Sequence, residues 1–162
     1  MPDNDDMTTA AQEGSPAPEA LIPGTLQDDI GFKLRLAQIL AYRAFEDRVK
    51  GYGAAPRYLG LLAIIKASPG QPQSRLAEAV ALQRSSLVTI LDRLEKDGLL
   101  KRRGSDSDRR AKGVWLTKKG EAVTEELRAM AKESEERAIS GLDAESRKAL
   151  LTALDCIIGN LR

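Results

Sequence analysis

Two short stretches of this 162-residue chain carry side chains whose types and spacing suit a polyanionic partner. In RSSLVTILDRLEKDG (84–98), about 100° of turn per residue gathers Leu87, Ile90, Leu91 and Leu94 on one side of a helix. Ser85, Thr89, Asp92, Arg93 and Lys96 fall on the other. Ser85, Ser86 and Thr89 lie in the N-terminal half, where short hydroxyl side chains allow close approach to base edges; Arg84 and Arg93 can reach phosphates or guanine. In KRRGSDSDRRAK (101–112), Asp108, Arg109 and Arg110 tip a turn flanked by Lys101, Arg102, Arg103 and Lys112. Arginine at such a tip suits a narrow minor groove, which concentrates negative potential. Asp108 does not favour phosphate by charge, so its expected task is to hold one arginine in a bidentate pair while the other points outward.

Taken alone, each stretch has a plainer reading: an amphipathic core helix with a solvated face, and a solvated turn. The neighbouring elements favour the sharper one. SRLAEAV (74–80) reads as a short helix joined to 84–98 by a tight turn around Ala81–Gln83, which is the shape of a helix-turn-helix. LLKRR and KGVWL read as two strands, a wing beside the second helix, so that Lys101, Arg102, Arg103 and Lys112 add contacts to a nucleic-acid backbone.

Longer helices flank this centre. Ile30, Leu34, Ala37, Ala41, Phe45 and Val49 recur at spacings of three and four, predicting a helix from about Leu26 to Gly51. Leu36, Ile39 and Leu40 widen its apolar surface beyond one stripe, as a dimer-forming helix requires. GYGAAP (51–56) ends it, and a second helix runs from Arg57 to Ala67 until SPGQP (68–72) closes it. Thr117 is placed to N-cap a helix from Lys118 to about Ser140, and Asp143 another from Ala144 to Asn160, with Leu151, Leu154, Ile158 and Leu161 as its stripe. Residues 1–24, rich in Pro, Asp, Ala, Gly and Ser, read as a disordered acidic tail. The expected fold class is mainly α with a small β-hairpin wing (α+β), a winged helix-turn-helix. Residues 56–117 form the DNA-binding domain, and residues 25–55 and 118–162 supply dimerisation helices.

Composition narrows the function. The chain is 42 % hydrophobic, 30 % charged and 4 % aromatic, an ordinary globular balance that leans helical. The net charge of +1 conceals a partition: seven acidic and no basic residues in 1–29, but 17 basic and 8 acidic residues in 30–116. An anionic partner would dock in that basic middle. Histidine is absent, which removes the commonest general base and metal ligand. With no glycine-rich phosphate loop and no compact carboxylate pair either, no enzyme, cofactor or metal site is expected. A lone cysteine, no signal-peptide pattern and no apolar stretch of membrane-spanning length point to the cytoplasm.

Residues 74–121 resemble the MarR family of winged-helix regulators, whose recurrent pieces appear as DRLEKDGLL (92–100), DRR (108–110) and LTKKG (116–120). Flanking helices extend the resemblance over about residues 26–162. It implies an obligate homodimer built from N- and C-terminal helices, bound to a pseudo-palindromic double-stranded operator, usually as a repressor. It also implies a small ligand, often an aromatic acid, between the dimer helices and the wing domain. By motif, Ser85, Ser86 and Thr89 match base-contacting positions, Arg110 the wing arginine and Asp108 its partner. The acidic tail is longer than is usual and no role is carried onto it.

GFKLRLAQILAYRAFEDRV (31–49) is similar to the first helix of family members that control hydroxycinnamate degradation and answer to the coenzyme A thioester. Such a ligand presents phosphates and a ring. Arg35, Arg43 and Arg57 are candidates for the first, and Tyr42, Phe45 and Tyr58 for the second. The competing readings are ordinary core for the aromatics and solvated or interfacial charge for the arginines. Cys156, with no resolving partner, reads as a packing residue in an apolar dimer helix. Two further alternatives stay open: a MarR-type regulator of another phenolic or drug-like ligand, and a ligand-independent architectural DNA binder.

Overall fold

The computed structural model describes residues 23–104 and 112–162. Residues 1–22 of the acidic tail and the wing tip with Asp108, Arg109 and Arg110 lie outside the described residues. Helices α1 (Gly24–Gln27), α2 (Ile30–Glu46), α3 (Leu59–Ala67), α4 (Gln73–Ala79), α5 (Arg84–Lys96), α6 (Lys118–Ala138) and α7 (Ala144–Asn160) alternate with strands β1 (Gln71–Pro72), β2 (Leu100–Gly104) and β3 (Lys112–Leu116). The chain divides into one unit up to Ile39 and a second from Leu40 onward.

In the first unit the single helix expected from Leu26 is broken. Asp29 accepts a hydrogen bond from the Phe32 backbone N–H at 2.5 Å, which starts α2 afresh and leaves α1 as one turn. Ile30 and Leu34 on this segment are exposed. In the second unit α2 ends at Glu46 rather than Gly51. Arg48 and Val49 bond back three residues, to Phe45 and Glu46, and tighten the chain out of α geometry. A 3₁₀ turn over Ala55–Tyr58 then leads into α3, so the helix expected from Arg57 starts as 3₁₀ and becomes α at Leu59.

The core sits entirely within this second unit. Leu62, Ile65, Leu87, Leu91, Leu94, Val114 and Leu127 are fully buried, and Phe45 and Val49 close its edge. Each such side chain contributes about 1.5–3 kcal/mol by leaving water. The wing is an antiparallel pair in which Leu100 faces Leu116 and Arg102 faces Val114. Strand β1, unforeseen because Pro72 has no N–H for a central ladder, pairs at the edge with β3, giving the order β1-β3-β2.

Two helix ends fix the geometry of the centre, and both use the same device. The N–H of Gly98 (φ +72°) bonds to the Glu95 carbonyl and that of Leu99 to the Leu94 carbonyl, so α5 stops in a Schellman turn and delivers the chain to β2. At the end of α4, Ala81 (φ +52°) and Leu82 make the equivalent bonds to Glu78 and Ala77. Alanine in that left-handed position is strained by about 1–2 kcal/mol, held there by the packing of α4 on α5.

The N-terminus of α6 is keyed onto the α5 turn. Thr117 Oγ1 accepts from the Gly120 N–H at 3.0 Å and donates to the Gly98 carbonyl at 2.7 Å. Lys119 Nζ donates to the Asp97 carbonyl at 2.8 Å, placing a cation at the α5 C-terminus. A Cβ at Gly120 would run into the Leu99 carbonyl, so only glycine permits this approach. Thr117 and Asp143 cap α6 and α7 as the sequence leads one to expect.

Helix α7 differs from the rest of its unit. Every one of its residues is at least partly exposed, with Leu151 at 62 % and Leu161, just past its end, at 81 %. Cys156, expected to pack, is also exposed in the protomer. No helix among the described residues is long and apolar enough to cross a membrane.

Candidate nucleic-acid interface

Helix α5 separates cleanly into the two faces read from its spacing. Leu87, Leu91 and Leu94 are fully buried, Ile90 is half-buried, and Arg84, Ser85, Ser86, Thr89, Asp92, Arg93 and Lys96 are exposed. Anchored by those leucines, the N-terminal half of α5 presents Arg84, Ser85, Ser86 and Thr89 to solvent on one patch about one and a half turns long. The Thr89 hydroxyl donates to the Ser85 carbonyl at 3.3 Å, a long bond that a base edge could replace. Val88, 36 % exposed, shares this patch and was not singled out from the sequence. An apolar side chain there can meet a thymine methyl group. Its signal was available: it stands about 100° off the Leu87–Leu91–Leu94 stripe.

The wing strands hold the basic residues unequally. Arg103 is exposed and Lys101 half-buried, and both remain outside the ion pairs found among the described residues. Arg102, expected to touch the nucleic-acid backbone, is instead drawn onto α5. Its guanidinium meets Glu95 and Asp92, and its backbone N–H donates to Glu95 Oε1 at 3.0 Å. The hydrogen bond from Arg102 holds the Glu95 carboxyl below its usual pKa, against the opposing effect of burial, and Glu95 and Asp92 raise that of the guanidinium. Both groups are charged near neutrality, and the Nε and Nη2 donors of Arg102 are engaged by the two carboxylates. Residue spacing carries no sign of this pair, because Glu95 and Arg102 are brought together only by the turn at Gly98.

The residues considered for a small ligand are partly gathered. Tyr42, Arg57 and Tyr58 lie close enough to interact: burial and Glu46 raise the Tyr42 pKa, Arg57 opposes the rise, and Tyr58 adds to it. Tyr42 Oη reaches Glu46 Oε1 at 3.4 Å. Arg43 and Arg57 are exposed, and neither belongs to an ion pair among the described residues. Phe45 is buried in the core beside Val49 and Ala55. Arg35 belongs to the first unit, where Nη1 reaches Gln38 Oε1 at 3.4 Å. A separate groove of 890 Å³ between α3 and α6, lined by Leu59, Gly60, Ala63, Arg128, Ala129 and Lys132 among others, includes none of these six candidates.

Comparison with known proteins places this geometry in a context. The sequence pattern described as MarR family matches residues 57–112. A Thauera aromatica protein described as a candidate transcriptional regulatory protein for the hcr operon is 38 % identical over 101 residues, covering 62 % of this chain and 61 % of its own length. The chain thus spans less than two thirds of that relative. Among solved structures, the transcriptional repressor CouR bound to a 23-mer DNA duplex is 32 % identical, with a TM-score of 0.77 over 85 % of this chain and 98 % of that one. CouR bound to p-coumaroyl-CoA is similar at 29 % identity, TM-score 0.75, over 85 % and 97 % of the two chains.

Proposed function

The chain belongs to the MarR family, and on that premise we propose that it is a DNA-binding transcriptional regulator acting in the cytoplasm, a repressor released from a pseudo-palindromic operator by an aromatic acid or its coenzyme A thioester. Helix α5 carries the proposal: buried leucines fix it to the core while its N-terminal patch offers arginine, hydroxyl and methyl groups to base edges. The wing strands supply Lys101 and Arg103 to phosphates. Arg109 and Arg110 follow β2 in sequence and are assigned to the minor groove, with Asp108 orienting one of them. Such regulators read two half-sites with two copies. The exposed Leu150, Leu151, Ile158 and Leu161 of the C-terminal region and Ile30, Leu34 and Leu40 of α2 are assigned to the partner protomer of a homodimer.

For the effector, support comes from the similarity to CouR, whose structures include a p-coumaroyl-CoA complex. Tyr42 and Tyr58 are assigned to the aromatic ring, Arg43 and Arg57 to the anionic groups. A ligand shifts DNA binding only through unequal affinity for two conformations, typically by about 1–3 kcal/mol. Changing the spacing of two recognition helices, which must match half-sites one helical turn apart, achieves this.

Gel-shift titration of p-coumaroyl-CoA, free p-coumarate and benzoate against the native operator tests the proposal. The thioester is expected to release DNA at the lowest concentration, and the Arg43→Ala/Arg57→Ala double variant to blunt that release. Arg110→Ala is expected to weaken operator binding by about 1–3 kcal/mol without altering thermal stability. Release by none of the three compounds removes the effector assignment and leaves DNA binding; wild-type affinity in Arg110→Ala removes the wing assignment. Equal binding to operator and unrelated duplex favours an architectural binder.

A further inference from the structure

Arg102 differs from its neighbours Lys101 and Arg103 in that, among the described residues, its charge is paired within the fold. Its side chain is 18 % exposed, and Nε and Nη2 meet Glu95 Oε2 at 2.9 and 2.5 Å. Nη2 also meets Asp92 Oδ1 at 2.6 Å. With the backbone N–H on Glu95 Oε1, one residue of β2 is fastened through main chain and side chain to two carboxylates a single turn apart on α5. A planar guanidinium can bridge both acids at once, which a lysine ammonium cannot do in the same fixed geometry. The placement of the acids makes the bridge more than a local pair. Asp92 is 57 % exposed on the same helix face as Thr89 and Arg93, where an unpaired carboxylate would repel a phosphate backbone.

We infer that Arg102 is a positioning residue of the nucleic-acid interface: it clamps the wing strand β2 to α5 through Glu95 and offsets one of the two negative charges of Asp92 and Glu95, without itself touching DNA. The inference rests on the DNA-binding function proposed above. It accounts for two acidic residues in the recognition helix of a polyanion-binding protein. It also divides the run Lys101-Arg102-Arg103 into two residues outside the ion pairs found among the described residues and one that holds the frame.

A double-mutant cycle on the full chain separates the clamp from a direct contact. Fluorescence anisotropy would measure binding of wild type, Arg102→Gln, Asp92→Asn/Glu95→Gln and the triple variant. The probe is a duplex selected by the wild-type protein from a random-sequence pool, and binding is read over a series of salt concentrations. Arg102→Gln is expected to bind about tenfold more weakly with an unchanged slope of log affinity against log salt. In the Asp92→Asn/Glu95→Gln background the same change is expected to cost less than about threefold, because the acids it restrains are gone. An undiminished cost in that background, or a salt slope lowered by about one on removing Arg102, would make it a phosphate contact and overturn the inference. Circular dichroism of each variant checks folding; if Arg102→Gln is unfolded, Arg102→Lys, which keeps the charge but not the fork, takes its place in the cycle, and a cost undiminished in the Asp92→Asn/Glu95→Gln background overturns the inference. Failure of the wild-type chain to select any duplex removes the DNA-binding function itself. Selection followed by an undiminished cost removes only the role of Arg102.

Discussion

The winged centre and helix α7 belong to the same compact unit yet satisfy their side chains in opposite ways. In the centre, Leu62, Ile65, Leu87, Leu91, Leu94 and Val114 are fully buried, and both Schellman turns and the α6 cap use backbone groups that would otherwise be orphaned. Helix α7, of similar apolar content, leaves Leu150, Leu151 and Ile158 between 42 % and 62 % exposed. The contrast teaches that one chain can be internally complete where it must be rigid and incomplete where it must associate. Under the proposed function, α5 as a recognition helix needs a fixed frame, because misplacing it loses base contacts, and α7 as a dimer helix needs an open face, because its core would lie on another copy.

The most drastic way to break this contrast is to spoil the open face. Leu151→Asp/Ile158→Asp is expected to abolish the dimer at micromolar concentration, since two buried, unpaired carboxylates are costly in an apolar interface. Sedimentation velocity is the measurement. If the wild-type chain already sediments as a stably folded monomer, the face has no partner of this kind and the contrast falls.

A core truncation sharpens it from the other side. Leu91→Ala is expected to lower unfolding stability by about 2–5 kcal/mol through lost burial and an unfilled cavity. Leu151→Ala should cost less, and its cost should come through association, so that its thermal midpoint depends more steeply on protein concentration. Urea titrations at two concentrations distinguish them; equal and concentration-independent losses would erase the difference between the regions.

The smallest expected effect lies in acid. Because Arg102 holds the Glu95 carboxyl below its usual value of 4.5, Glu95 contributes stability that is complete above about pH 4.5 and lost as pH falls through its lowered folded value. Glu95→Gln is therefore expected to show a shallower fall in thermal midpoint below pH 4.5 than wild type, with the two curves parallel above it. Parallel curves throughout would mean that the ion pair is not held in solution.

Much of this was legible in local pattern. The leucine stripe of 84–98, the strands on either side of the polar turn, and the caps at Thr117 and Asp143 follow from spacing and side-chain chemistry within a few residues. The unforeseen features depend on contacts that cross the sequence or on competition at a helix end. Asp29 divided the first helix because its carboxylate suits an N-cap better than a helix interior. Strand β1 exists only because β3 returns beside it, more than 40 residues later in the register of Gln71 with Val114.

The sequence by itself determined the faces: which side of α5 is apolar, where the basic residues concentrate, and which helices carry apolar residues beyond a single stripe. These depend on helical and strand periodicity, which is a property of the local chain. Only the tertiary structure decided which charges are paired within the described residues. Lys101, Arg102 and Arg103 are equivalent as a run of letters, but the turn at Gly98 folds β2 back along α5 and brings Arg102 onto Glu95 and Asp92. A charge's function depends on what lies within a few ångströms of it, and that distance is set by the fold rather than by spacing along the chain.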